Sequence, residues 1–342
     1  MSERRIAVVL FNLGGPDGPA DVTPFLFNLF SDRAIIDQPG AVRVPLAALI
    51  AGARGRRARA NYAVMGGGSP LLAGTTAQAR ALEAALSERL GPGRVKVFIA
   101  MRYWAPRSAS TAAEVAAFIP DEVVLAPLYP QYSTTTTASS LRAWKAAYEG
   151  PGAVHGLCCW YDAAGLAEAH AHAIRETWEE AGRPKVRVLF SAHGLPVATA
   201  NRGDPYAWQV EVTSAAIAAR LGPDWDWQVC YQSRVGPMKW LGPSTPEAIA
   251  AAAREDVGVL IDPVSFVSEH VETLVELDRD YARLARQAGA PCYLRVPALG
   301  VAAGFIEALA SAVERALARP GLGPDGRPCP ARFSRCGREI PA

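Results

Sequence analysis

The side chains best suited to move protons or meet a divalent metal lie at the ends of apolar runs. Phe190-Ser191-Ala192-His193-Gly194-Leu195-Pro196 closes a buried-strand pattern on a histidine. Imidazole exchanges protons near neutral pH; a hydrogen-bonded structural histidine is the plain alternative. A second apolar run leads to Ser265-Phe266-Val267-Ser268-Glu269-His270-Val271-Glu272. Glu269, Glu272, Glu276 and Asp280 are separated by three, four and four positions, so a helix would set them on one face. Such a stripe is ordinarily a solvated face. Here it begins directly after a strand pattern and includes His270, a donor set that suits a first-row divalent metal bound transiently.

A third stretch, Ser233-Arg234-Val235-Gly236-Pro237-Met238-Lys239-Trp240-Leu241-Gly242-Pro243, follows a strand and combines cations with an aromatic ring. It would suit a flat anionic ligand, or it packs as a loop. The glycine clusters point elsewhere. Asn12-Leu13-Gly14-Gly15-Pro16 has neither dinucleotide nor P-loop spacing, and Gly66-Gly67-Gly68-Ser69-Pro70 follows a helical pattern rather than a strand. Both read as tight turns and helix starts, so dinucleotide binding is rejected. Of six cysteines, Cys230 and Cys292 lie in strand-like runs and read as core thiols. Cys158 and Cys159 are adjacent, and Cys329 and Cys336 sit in a Pro- and Arg-rich tail.

The elements that must position these residues are strand–helix units. Apolar runs at 6–12, 95–101, 122–128, 186–192, 228–232 and 257–263 read as strands, several apolar throughout as in parallel sheets covered on both faces. Helical patterns at 71–90, 165–181 and 269–288 end at glycine stops. The pattern divides near Gly150-Pro151-Gly152, which predicts two α/β lobes. Ligands of open α/β sheets bind beyond the strands' carboxyl ends, where His193 and the carboxylates fall.

The 342 residues accommodate about two domains. Half are hydrophobic, and a net charge of +2 gives no reason to expect nucleic acid. Cysteines this sparse do not form a secreted disulfide framework, and no window reads as a signal peptide or membrane span, so a cytoplasmic protein is expected. From Ala34 to Arg59, Ile35, Ile36, Val42, Val44, Leu46, Leu49 and Ile50 precede Arg54, Arg56, Arg57 and Arg59. This order suits either a segment lying against anionic lipid or a core helix with a solvated basic end.

In combination the motifs resemble the ferrochelatase family. The resemblance rests on Leu13-Gly14-Gly15-Pro16, Gly66-Gly67-Gly68-Ser69-Pro70, Arg102-Tyr103, Tyr129-Pro130-Gln131-Tyr132-Ser133, Ser191-Ala192-His193, Asn201-Arg202-Gly203-Asp204-Pro205-Tyr206, Val235-Gly236-Pro237-Met238 with Trp240-Leu241-Gly242-Pro243, and His270-Val271-Glu272-Thr273-Leu274. It implies two Rossmann-like lobes, each a parallel four-stranded sheet flanked by helices, around an active-site cleft: residues 1–152, residues 153–318 and a cysteine-containing tail, 319–342. It also implies ferrous iron and protoporphyrin IX as substrates of a haem-forming enzyme. His193 and Glu272 would be the catalytic pair and, with Glu276, would meet the iron. Leu13, Arg54, Arg102, Tyr103, Tyr129, Trp240, Phe266 and His270 would line the porphyrin, Arg54 near a propionate. Related enzymes carry Asp where this chain has Glu269.

Many members hold a 2Fe-2S cluster on one internal and three C-terminal cysteines. Here Thr134 occupies the internal position and the tail supplies only Cys329 and Cys336. Cys158 and Cys159 would complete four thiolate ligands; free thiols are the alternative. Peripheral membrane contact through residues 34–59 and a homodimer are the remaining partner expectations. Coproporphyrin or another metal as substrate, and a non-catalytic porphyrin-binding module, stay open as rival readings.

Overall fold

A computed structural model describes residues 4–234, 236, 238–319, 321–324 and 329–337. Val235 and Pro237 of the Gly-Pro motif, and residues 320, 325–328 and 338–342 of the tail, lie outside the described residues. The strands are β1 (Ile6–Asn12), β2 (Val95–Met101), β3 (Glu122–Pro127), β4 (Ala153–Cys159), β5 (Val186–His193), β6 (Asp226–Gln232), β7 (Gly258–Asp262), β8 (Tyr293–Arg295) and β9 (Gly321–Pro324). They form two parallel sheets in the orders β2-β1-β3-β4-β9 and β6-β5-β7-β8.

The continuous apolar run of β1 is buried at all seven positions because helices cover both faces of its sheet. Ile6, Val8 and Leu10 pack towards Leu82, Leu86 and Leu309, while Ala7, Val9 and Phe11 pack towards Val115, Leu141 and Trp144. Each fully buried aliphatic side chain contributes about 1.5–3 kcal/mol relative to exposure. The helix Leu71–Leu90 stops at Gly91, whose φ of 103° is costly for a side-chain-bearing residue.

Two sequence expectations change. The first sheet has five strands, not four, because β9 from the tail pairs with β4. The expected boundary at 152 precedes β4, which pairs with β3 and so belongs to the first sheet. The helix Ala303–Leu317 likewise returns to the first lobe, burying Phe305, Leu309 and Val313 in the core beneath β1. Chain order and lobe membership separate because an apolar helix face packs where a sheet face is open. Among the described residues, no helix is long and apolar enough to cross a membrane.

Candidate functional site

His193 is the last residue of β5 and stands in register with Gln232, the last of β6. Both therefore open at the carboxyl edge of the second sheet. Gly194 must follow closely: a Cβ there would stand 2.7 Å from the Gln232 carbonyl oxygen and 3.3 Å from the Trp240 ring. The Gly194 amide donates to that same carbonyl at 2.8 Å. Trp240 is brought beside this turn by backbone bonds from Val197 to Lys239 and from Leu241 to Leu195.

The third component begins just beyond β7. Glu272–Tyr281 is a π-helix continuing into an α-helix, Ala282–Ala288. Its wider turn closes on the fifth residue rather than the fourth, a rare geometry that concentrates at functional sites. The predicted four-carboxylate stripe is accordingly broken. Glu269 precedes the helix and pairs with Arg295 while accepting from the Ala298 amide at 2.9 Å. Asp280 turns to Arg279 and Arg283. Glu272 and Glu276 remain together, because Gln232 Nε2 donates to the Glu272 carbonyl at 3.0 Å and to Glu276 Oε2 at 3.3 Å.

His193 Nδ1 lies 2.8 Å from Glu272 Oε2, and His270 Nε2 approaches the same oxygen at 3.8 Å. Burial alone would raise the Glu272 carboxyl, but His193 and His270 hold it well below the ordinary carboxylate range. Burial opposes charge on His193, yet Glu272, with Glu276, raises its imidazole above the ordinary value. With Nδ1–H committed to a carboxylate, Nε2 is the nitrogen left to accept a proton. Its side chain is 45% exposed, so a ligand can reach it. Phe266 stands edge-on to His193, ring centroids 6.5 Å apart, and packs on His270 at 4.7 Å.

Beyond this pair, Glu276 accepts from the Ser233 amide at 3.0 Å, the Ser233 hydroxyl and Tyr281 Oη at 2.6 Å. Burial and Glu276 together keep the Tyr281 phenol protonated. The arrangement is an exposed base, its partner carboxylate and a second carboxylate one turn on, with Gln232 holding the Glu272 backbone carbonyl and the Glu276 carboxylate in place.

The first lobe faces this array. Val271 packs into a cluster of Val22, Phe25, Tyr62, Tyr103 and Leu13. Burial, then the Glu272 charge, raises the Tyr62 phenol. Arg102 is not a free cation: it donates to Asp32 at 2.8 Å and to Ser139 at 2.6 Å. Asp32 also accepts from Tyr103 Oη at 2.8 Å and from Ser139. Tyr103 is fully buried, and the Tyr129 hydroxyl is buried elsewhere in the first lobe, towards Ser140. Neither hydroxyl is presented outward. Arg54 is exposed, its guanidinium 5.5 Å above the Phe30 ring. Tyr62, Asp32 and Gln232 were not singled out from sequence, and Ser233 entered only as the first residue of the stretch that ends at Pro243; only the end of a strand pattern could have pointed to Gln232.

No disulfide joins any of the six cysteines, all of which lie among the described residues; Cys230 is buried and Cys292 half-buried. Cys158, Cys159, Cys329 and Cys336 meet in one buried cluster with Tyr132 and Tyr161. Cys158 contacts Cys159, at 3.5 Å, and Cys336; Cys329 contacts Cys159 and Cys336, closing a ring of thiols. Gln209 Nε2 donates to Cys329 at 3.1 Å and to Cys159 at 3.4 Å. Cys158, Cys329 and burial push Cys159 well above the ordinary thiol range. Cys159 favours the Cys329 thiolate, but Cys336 and burial outweigh it and push that thiol up to about 11. Among the described residues, no three His, Cys, Asp or Glu side chains are arranged for a single metal ion.

Two parallel α/β lobes with this edge geometry have the fold of the chelatases. It is similar to SirB from Bacillus subtilis, solved with Fe3+ (TM-score 0.52, 12% identity, 91% of this chain and 95% of that one). It is also similar to CbiX, the terminal enzyme for siroheme biosynthesis in denitrifying bacteria (TM-score 0.51, 17% identity, 92% and 99%). The chain belongs to the ferrochelatase family, whose model matches residues 5–317. Ferrochelatases of Phenylobacterium zucineum and Caulobacter vibrioides are each 59% identical to it, over 97% of this chain and 97% of theirs. That of Hyphomonas neptunium is 52% identical over 97% and 94%.

Proposed function

We propose that this protein inserts ferrous iron into protoporphyrin IX, with His193 receiving the pyrrole protons and Glu272 and Glu276 carrying charge away from it. The 2.8 Å bond between His193 Nδ1 and Glu272 carries this reading. A free-base porphyrin must lose its pyrrole protons as the metal enters. They are weakly acidic and shielded in the plane, so ring distortion at the expense of binding energy exposes them. A neutral His193 accepts at Nε2, and the resulting imidazolium is stabilised by the Glu272 carboxylate. His193, Glu272 and Glu276 are also the donors that would meet ferrous iron as it sheds water, while Leu13, Phe266 and Trp240 supply apolar surface for the ring.

The Asp32 carboxylate neutralises Arg102, which supports protoporphyrin over the more anionic coproporphyrin. Anaerobic turnover with ferrous iron and each porphyrin tests both points. Faster insertion into protoporphyrin is expected; a preference for coproporphyrin would replace the substrate, and no insertion into either would remove the activity.

The thiols of Cys158, Cys159, Cys329 and Cys336 would hold a 2Fe-2S cluster. Four buried thiolates repel one another, and a cationic centre is what lets them ionise together. Side chains now in contact would spread around it. When bound, such a cluster would supply a redox-active cross-link between the tail and the lobes. Anaerobically purified protein should be coloured and contain iron and sulfide; a colourless, iron-free preparation would count against it.

The helix Gly40–Val64 exposes Val42, Val44, Leu46 and, at 70%, Leu49, ahead of Arg54, Arg56, Arg57 and Arg59. Contact with anionic membrane surfaces accounts for apolar side chains left in water beside cations. Flotation with anionic liposomes should be lost when Ile35, Ile36 and Leu49 are changed to Ser; unchanged flotation would remove this contact.

A further inference from the structure

Gln78 lies in the first lobe, on the helix Leu71–Leu90, yet its side-chain amide is spent on the second lobe. It is fully buried. Nε2 donates to the Val267 carbonyl at 2.7 Å and the Gly300 carbonyl at 3.0 Å, while Oε1 accepts from the Ser268 hydroxyl at 2.9 Å. Val267 and Ser268 belong to the segment that leads from β7 to the π-helix, and Gly300 to the turn between β8 and the helix Ala303–Leu317. The Ser268 carbonyl in turn lies 3.2 Å from His270 Nδ1. A carbonyl can only accept, so Nδ1 donates to it, and Nε2 of the same ring faces the Glu272 carboxylate at 3.8 Å. On the other side, Thr75, one turn before Gln78, accepts from Asn12 Nδ2 at 3.0 Å at the end of β1.

We propose that Gln78 is a positioning residue that lets the first lobe set the placement of His270, and through His270 the Glu272 carboxylate. An amide is suited to this place. Its two N–H groups satisfy two carbonyls and its oxygen satisfies one hydroxyl, so two polar groups of the segment before the π-helix, and the Gly300 carbonyl beside it, depend on one side chain. A misplacement of reacting groups by about 1 Å can cost on the order of 10²-fold in rate. The inference rests on the proposed roles of His193 and Glu272, so wild type and His193→Ala are measured in the same series.

The experiment compares Gln78→Met, similar in length but without the amide, and Ser268→Ala, which removes only the hydroxyl bond. Steady-state iron insertion and 1H–15N spectra of the histidine rings are recorded. In Gln78→Met, kcat should fall by about tenfold or more with porphyrin KM nearly unchanged, and the His270 ring signals should shift from their wild-type positions. Ser268→Ala should show a smaller change of the same kind, and it carries the test if Gln78→Met does not fold. Wild-type kcat with unaltered His270 signals in a folded variant would overturn the clamp alone. Retained turnover in His193→Ala would overturn the reading of the site beneath it.

Discussion

Glu272 accepts a hydrogen bond from His193 Nδ1 at 2.8 Å, tying the end of β5 to the first turn of the π-helix. The bond fixes the imidazole tautomer, raises its affinity for a proton and leaves Nε2 towards solvent. A carboxylate that orients a histidine also stabilises the charge that histidine acquires. The consequences can be measured separately.

Replacing the carboxylate while keeping its shape isolates the charge. Glu272→Gln should lower kcat by about 10²-fold. Because the Glu272 anion raises the His193 imidazole, its loss should move the acid limb of the pH–rate profile to lower pH. An acid limb that stays in place would show that another group controls it.

The same pair makes stability depend on pH in a stated direction. A raised His193 contributes stability fully below the ordinary imidazole value of about 6.5 and loses it as pH rises through the folded value. A depressed Glu272 contributes above about 4.3 and loses it as pH falls through its folded value. The melting-temperature difference between wild type and His193→Ala should therefore be largest at about pH 4.3–6.5 and narrow towards alkaline pH. A difference that widens above neutrality would contradict the assignment.

Asp32 is the buried acceptor for Arg102, Tyr103 and Ser139. Despite burial, Ser139, the Ala34 amide, Arg102 and Tyr103 depress its carboxyl. Asp32→Ala should destabilise by about 2–4 kcal/mol, since it strands a partly buried guanidinium. Denaturant midpoints at neutral pH measure the loss, and a change below about 0.5 kcal/mol would show that solvent satisfies Arg102 unaided.

Two glycines make a matched comparison. Gly194→Ala would drive a Cβ against the Gln232 carbonyl, costing about 1–3 kcal/mol and disturbing His193. Gly52, inside the helix Gly40–Val64, has nothing within 4 Å of the added carbon. Gly52→Ala should instead stabilise by about 0.5–1 kcal/mol. Thermal melts of equal midpoint for the two variants would contradict the close approach at Gly194.

The parts of this fold legible from sequence are those where one residue pattern has one physical meaning. The apolar run of β1, that of β2 with its one exposed Lys96, and the glycine-stopped helix Leu71–Leu90 coincide with their expected bounds. The strand β4 escaped because His155, Gly156 and two cysteines interrupt its apolar pattern. Asp280 left the acidic stripe because a π-helix does not keep the spacing of an α-helix, and Glu269 because the helix starts after it. Gln78 is a polar residue buried by chain that follows β7 and β8, and Tyr62 is buried in a first-lobe cluster closed by Val271, circumstances with no periodic signature. The partner that neutralises Arg102 lies seventy positions away, beyond the reach of local pattern.

The central claim is that His193 takes protons from a porphyrin during iron insertion. The most direct measurement is anaerobic loss of protoporphyrin fluorescence with ferrous iron, for wild type and His193→Ala at equal folded concentration. The account predicts rapid loss with wild type and a rate reduced by about 10²–10⁴-fold in the variant, with porphyrin still bound. Near-normal insertion by His193→Ala would contradict it.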